Sequence, residues 1–156
     1  MKLPHRQPIR LTGWQQLRYS QANFGLDMVH QYVNMVNMKR IEFYRTINGA
    51  SPVEEFLETL DDNQARKVLW VLRLIRELNP IPSNYFSKLV NTDDIWEVRV
   101  QYGGNTFRLL GFFADAKLIL LTHAFQKKTQ KTPKQHIELA ESRKRDYLSR
   151  RRTNYG

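Results

Sequence analysis

Between residues 40 and 150 the spacing of apolar positions switches between a period of two and one near 3.6, and each switch predicts an element boundary. A strand is expected over 40–46, followed by a break at Asn48-Gly49-Ala50. Ser51-Pro52-Val53-Glu54 then forms a capping box with proline at the first helical position. The helix it opens carries Val53, Phe56, Leu57 and Leu60 on one stripe. Asp61-Asp62-Asn63 caps a second helix, whose apolar set is Ala65, Val68, Leu69, Leu72, Ile75 and Leu78. Asn79-Pro80-Ile81-Pro82 stops it. Alternating or continuous apolar runs predict strands over 95–102, 105–114 and 117–125. A last helix is expected over about 133–150, with Thr132 as N-cap, Pro133 at the first helical position and Gln135 completing a capping box. The order is β-α-α-β-β-β-α. The implied class is α+β: a small sheet packed on two N-terminal helices, with a C-terminal basic helix.

The turns set a register. Gly103-Gly104 suits a two-residue hairpin loop, which places Arg99 directly opposite Arg108. A short second hairpin at Ala114–Lys117 places Arg108 opposite His123. Side chains in such a row share a face. Val98, Leu109 and Thr122 form the neighbouring row. They face the other way with Val100, Phe107, Ala124, Trp96 and Leu120, as a core under the helices. Two opposed arginines repel unless something offsets them. Glu97, two residues from Arg99 on the same face, is one such offset. An anion gripped between the two guanidiniums is the other. A one-residue slip in either hairpin would separate these side chains.

Charge sharpens this picture. The net charge is +10. Residues 1–37 hold four Lys/Arg and one acid, residues 38–125 hold eleven of each sign, and residues 126–156 hold ten Lys/Arg against three acids. The excess therefore lies on the C-terminal element, beside His123, as expected for a partner that bears phosphates. Cysteine is absent, which excludes disulfides, zinc-thiolate sites and thiol catalysis. No apolar run reaches the roughly 20 residues of a membrane span, and no signal-like apolar stretch opens the chain. A cytoplasmic protein without a membrane partner is expected. Residues 1–37 show no sustained period, apart from a short stretch from Asp27 to Asn34 that suits a helix, while Met38-Lys39-Arg40-Ile41 runs straight into a strand. They are expected to be an extension upstream of the domain at 38–156, through a misplaced start.

The chemistry these residues suit is cleavage of RNA without a metal or other cofactor. Such cleavage needs removal of the 2′-hydroxyl proton, stabilisation of charge on phosphorus and protonation of the leaving 5′-oxygen. Arg99 and Arg108 are candidates for holding phosphate oxygens. His123, with an ordinary pKa of about 6.5, is the candidate for proton transfer. Lys127 and Lys128 add charge or assist protonation. Lys131, Lys134 and Arg143 are candidate phosphate contacts, and Phe125, Tyr102 and Phe112 candidate stacking platforms for bases. No second histidine is expected beside His123, since His136 lies in the last helix; Tyr102 and Tyr44 are reserves. No paired carboxylates, HExxH motif or Gly-rich phosphate loop is present.

Ser51-Pro52-Val53-Glu54-Glu55-Phe56-Leu57, Ile95-Trp96-Glu97-Val98-Arg99 and Phe107-Arg108-Leu109-Leu110 carry a family likeness. So do His123-Ala124-Phe125-Gln126-Lys127-Lys128-Thr129-Gln130-Lys131-Thr132-Pro133 and Ile137-Glu138-Leu139-Ala140. Over about 40–150 the chain resembles the phage-derived HigB-like toxins of the RelE/ParE superfamily. The resemblance implies a small α+β toxin of a type II toxin–antitoxin pair. It implies an endoribonuclease acting on mRNA at the ribosome and neutralised by a helix-turn-helix antitoxin. It sets Arg99, Arg108, Lys127 and Lys128 on the RNA-binding and catalytic face. Two alternatives stand beside it: a non-catalytic ParE-like member that binds a protein target, and a phage nucleic-acid-binding protein using only its basic tail. Convergence of Arg99, Arg108 and His123 on one exposed patch favours the nuclease; a buried or dispersed trio favours a binding module.

Overall fold

A computed structural model describes residues 38–154. The expectations for residues 1–37 lie outside the described residues. Five strands form one sheet in the order β1-β5-β4-β3-β2: β1 (Arg40–Phe43), β2 (Phe86–Lys88), β3 (Trp96–Tyr102), β4 (Asn105–Phe113) and β5 (Leu118–Gln126). β1 runs parallel to β5 at one edge, and the other pairings are antiparallel. The helices are α1 (Pro52–Glu58), α2 (Asp62–Glu77) and α3 (Lys134–Asn154). The α+β class and element order hold, with one addition. β2 is a three-residue edge strand that the sequence pattern does not announce.

The helices start where local chemistry demands. The Ser51 hydroxyl accepts the Glu54 N–H, and Pro52 fills the first turn, where its missing N–H costs nothing. Asp61 and Gln64 cap α2 reciprocally. Val53, Leu57, Val68, Val71, Leu72 and Ile75 pack on one sheet face against Val98, Val100, Phe107, Leu109, Ile119 and Leu121. Each of these buried apolar side chains stabilises the fold by about 1.5–3 kcal/mol. The opposite face is covered by α3. There Ala140 and Ile137 meet Ile95, Leu110 and Phe125, and Tyr147 and Leu148 meet Tyr44, Phe112 and Leu120. The sheet is thus the middle of three layers.

The first hairpin has the expected register. Gly103, at φ 58°, and Gly104 connect Tyr102 to Asn105, and Arg99 stands opposite Arg108. The second does not. Its loop is three residues long, because the Asp115 carboxylate accepts the N–H groups of Lys117 and Leu118, while Ala114 donates to the Leu118 carbonyl. A bulge then leaves Thr122 unpaired between Leu110–His123 and Gly111–Leu121. Each departure moves the pairing by one residue. Between them the faces are exchanged, so Leu120 lies with Phe112 under α3 rather than under α1 and α2. Beyond the bulge the faces are restored, two residues further along. His123 therefore shares the arginines' face but stands opposite Leu110, and Phe125 stands opposite Arg108.

Candidate functional site

The site grows from Glu97 on β3. This carboxylate is 2% exposed and faces α3. Burying a lone carboxylate is costly, so partners are required. The Arg99 Nε donates to its Oε1 at 2.9 Å, and the Arg108 Nε lies 3.2 Å from the same oxygen. The Thr132 hydroxyl donates to Oε2. The two opposed arginines are thus held side by side by one shared anion, and the trio keeps a net charge of +1. Arg99 is the outer member, with a side chain 40% exposed; that of Arg108 is 12% exposed. The expected Thr132 cap of the last helix takes a different form. Thr132 ties the turn to β3, while the N–H groups of His136 and Ile137 reach the Pro133 carbonyl.

Lys127 joins this cluster at the end of β5. Its backbone N–H donates to the Thr106 carbonyl at 2.8 Å, and its side chain is half-buried. Burial, and then the charges of Arg108 and Arg99, hold its ammonium below the ordinary lysine range, against the pull of Glu97.

His123 corrects the sequence reading. Its Nδ1 lies 3.0 Å from an Arg143 terminal nitrogen, and its Nε2 lies 2.8 Å from His136 Nδ1. Burial, with Arg143 and His136 nearby, lowers its pKa to about 4. It is therefore neutral at physiological pH and does not titrate near neutrality as its ordinary pKa implied. The second histidine that the sequence did not place is His136, in the first turn of α3. Its ring lies flat on Phe125, with centroids 3.8 Å apart and planes 4° apart. Burial also lowers its pKa. The row that begins Arg99–Arg108 continues into Phe125, with His136 laid over it.

The remaining candidates divide. Lys128 and Lys131 are exposed on the turn before α3. Lys134 is exposed and pairs with Glu138 at 3.3 Å. Tyr102 is 40% exposed at the tip of the first hairpin. Arg143 is half-buried and spends one terminal nitrogen on Thr122 O and His123. Phe125 is 7% exposed beneath His136 and Phe112 is 2% exposed, so neither offers a face to a base. The Tyr44 hydroxyl donates to Asp146 at 2.6 Å, and its pKa is raised, chiefly by burial. Among the described residues, no group of three or more His, Asp or Glu is placed to hold a metal ion. Arg99 and Arg108 therefore converge with Lys127, while His136 stacks on Phe125, the strand partner of Arg108, and His123 stands behind His136.

A protein-family model described as phage-derived protein Gp49-like matches residues 55–145. The matched stretch contains Glu97, Arg99, Arg108, His123, Lys127, His136 and Arg143. No curated protein matches the chain.

Proposed function

The chain belongs to the Gp49-like family of phage-derived proteins, and on that footing we propose that it is the toxin of a toxin–antitoxin pair, an endoribonuclease that cuts mRNA at the ribosome. The observation that carries this reading is the cationic cluster in which Glu97 fixes Arg99 beside Arg108, with Lys127 adjoining. Preorganised cations aimed at a phosphate stabilise charge as it develops on phosphorus. In this reading Arg99 and Arg108 bind the non-bridging oxygens. Lys127, the cluster's amine with a lowered pKa, takes the 2′-hydroxyl proton in its neutral form and returns it to the leaving 5′-oxygen. The attacking oxygen is the RNA's own 2′-hydroxyl, and charge compensation comes from side chains rather than a metal. Lys128, Lys131 and Lys134 extend the positive surface along the RNA. The antitoxin is a helix-turn-helix protein encoded alongside, as the HigB-like resemblance implies.

Two observations favour a second reading. Arg99, Arg108 and His123 do not meet on one exposed patch, since the Arg108 side chain is 12% exposed and His123 is half-buried behind His136. Glu97 already neutralises half the charge of the arginine pair, as it would in a non-catalytic module that binds a protein target. Inducible expression with mapping of mRNA 5′ ends separates the two. The nuclease reading expects growth arrest with new ends inside coding regions, both lost in Arg99→Ala. Growth arrest without new ends supports the binding module.

A further inference from the structure

We propose that Arg143 fixes the tautomers of a two-histidine chain, so that the free edge of His136 carries an N–H, a hydrogen-bond donor for a phosphate oxygen of the substrate. Its catalytic consequence rests on the nuclease reading above; the tautomers themselves do not.

The tautomers follow from counting hydrogens. A guanidinium has donors only. One Arg143 terminal nitrogen carries two, and they have two partners: the Thr122 carbonyl at 2.9 Å and His123 Nδ1 at 3.0 Å. Nδ1 of His123 must therefore be the bare acceptor, and its proton sits on Nε2. That proton points at His136 Nδ1, 2.8 Å away. His136 Nδ1 is then also an acceptor, and its own proton sits on Nε2, at the far edge of the half-exposed ring. The opposite assignment, with Nδ1–H on both rings, keeps the bond between the rings but sets an N–H of His123 against an N–H of Arg143 and loses that hydrogen bond.

Charging either ring breaks the same chain, since an imidazolium at His136 would aim a second N–H at that of His123. The environment agrees, because burial pushes both imidazoles toward the neutral form. The bulge at Thr122 turns its carbonyl and the next side chain toward α3 together. Phe125 fixes the plane of the His136 ring. Since Phe125 pairs with Arg108, the ring lies over the strand neighbour of Arg108. His136 is thus placed as a neutral donor, not as a general base, and Arg143 and His123 are positioning residues.

Histidine side-chain 15N–1H spectra of the labelled protein at neutral pH test this directly, with His136→Gln and His123→Gln assigning the signals. The expected result is Nε2–H for both rings in the wild type. A mixture of tautomers is expected in Arg143→Leu, with wild-type tautomers largely kept in Arg143→Lys, which retains a donor. Nδ1–H on either ring in the wild-type protein would overturn the proposal, and that measurement needs no variant to fold. The donor role is read separately by mRNA cleavage. His136→Ala is expected to lose on the order of 100-fold in rate, and His136→Gln, whose amide can still donate, less. Equal rates for His136→Ala and wild type would overturn the donor role. A wild-type protein that cuts no RNA would remove the nuclease reading while leaving the tautomer result to stand or fall by itself.

Discussion

Arg108 has two duties, and they pull a substitution in two directions. It neutralises the buried Glu97 and it belongs to the proposed phosphate grip. Arg108→Ala is expected to lose on the order of 100- to 1000-fold in cleavage rate. It is also expected to cost about 2–4 kcal/mol in urea unfolding, because Glu97 loses a buried counter-charge. Retained circular dichroism with lost growth inhibition is the predicted pair of readings; full toxicity in a folded variant would contradict the site. His123 supplies a pH dependence. Its folded pKa of about 4 lies below its unfolded value of about 6.5. As pH falls through 6.5 the unfolded chain takes up a proton that the folded chain refuses, so stability declines until about pH 4. His136, shifted in the same direction, adds to this decline. Between pH 7 and 5.5, where most carboxylates remain ionised, His123→Gln is expected to show a flatter midpoint-versus-pH curve than wild type. At this scale the sequence made the arginine pair and its carboxylate legible, because Arg99, Arg108 and Glu97 share the parity of two strands joined by a Gly-Gly turn. It did not make His136 legible, because nothing in a strand's alternation says which helical side chain will lie over its end.

The elements were legible where local chemistry decides them. Ser51 and Asp61 start α1 and α2 through their own caps, and the first hairpin follows from Gly103-Gly104. The second hairpin turns on the Asp115 side chain and on a bulge. Ala114–Lys117 does not by itself say whether its loop has two or three residues, and the one signal for the bulge is Gly111, across from it in β4. Two single-residue departures cancelled in parity, so His123 kept its face and lost its place in the row. β2 escaped notice because Phe86-Ser87-Lys88 is too short to show a period; its pairing with β3 defines it. The bulge region is tightly packed. A methyl group at Gly111 would collide with the backbone carbonyl of Leu120 and the side chain of Leu121. Gly111→Ala is therefore expected to cost about 1–3 kcal/mol in chemical denaturation, with reduced activity because the bulge aims Thr122 and His123 at Arg143. An unchanged midpoint would contradict the pairing of β4 with β5 around this bulge.

At the scale of the whole molecule, α1 and α2 cover one sheet face, and α3 covers the other while presenting the site. No helix among the described residues is long and apolar enough to cross a membrane. Residues 41–148 supply the buried clusters on both faces of the sheet. A chain beginning at Met38 is therefore expected to fold with a melting temperature within a few degrees of the full-length protein, and insolubility of that chain would assign residues 1–37 to the domain. The basic excess of residues 126–156 lies on β5's end, the turn and α3, so the grip on β3 and β4 is flanked by the positive surface, and cutting is expected to weaken as salt rises. The central claim is that this site cuts RNA by attack of its 2′-hydroxyl. The most direct measurement is the chemistry of the ends left on mRNA after induction. Cleavage by the proposed route leaves 5′-hydroxyl ends and 2′,3′-cyclic phosphate or 3′-phosphate ends, absent when Arg108 is alanine. New ends bearing 5′-phosphate, or growth arrest with no new ends, would contradict it.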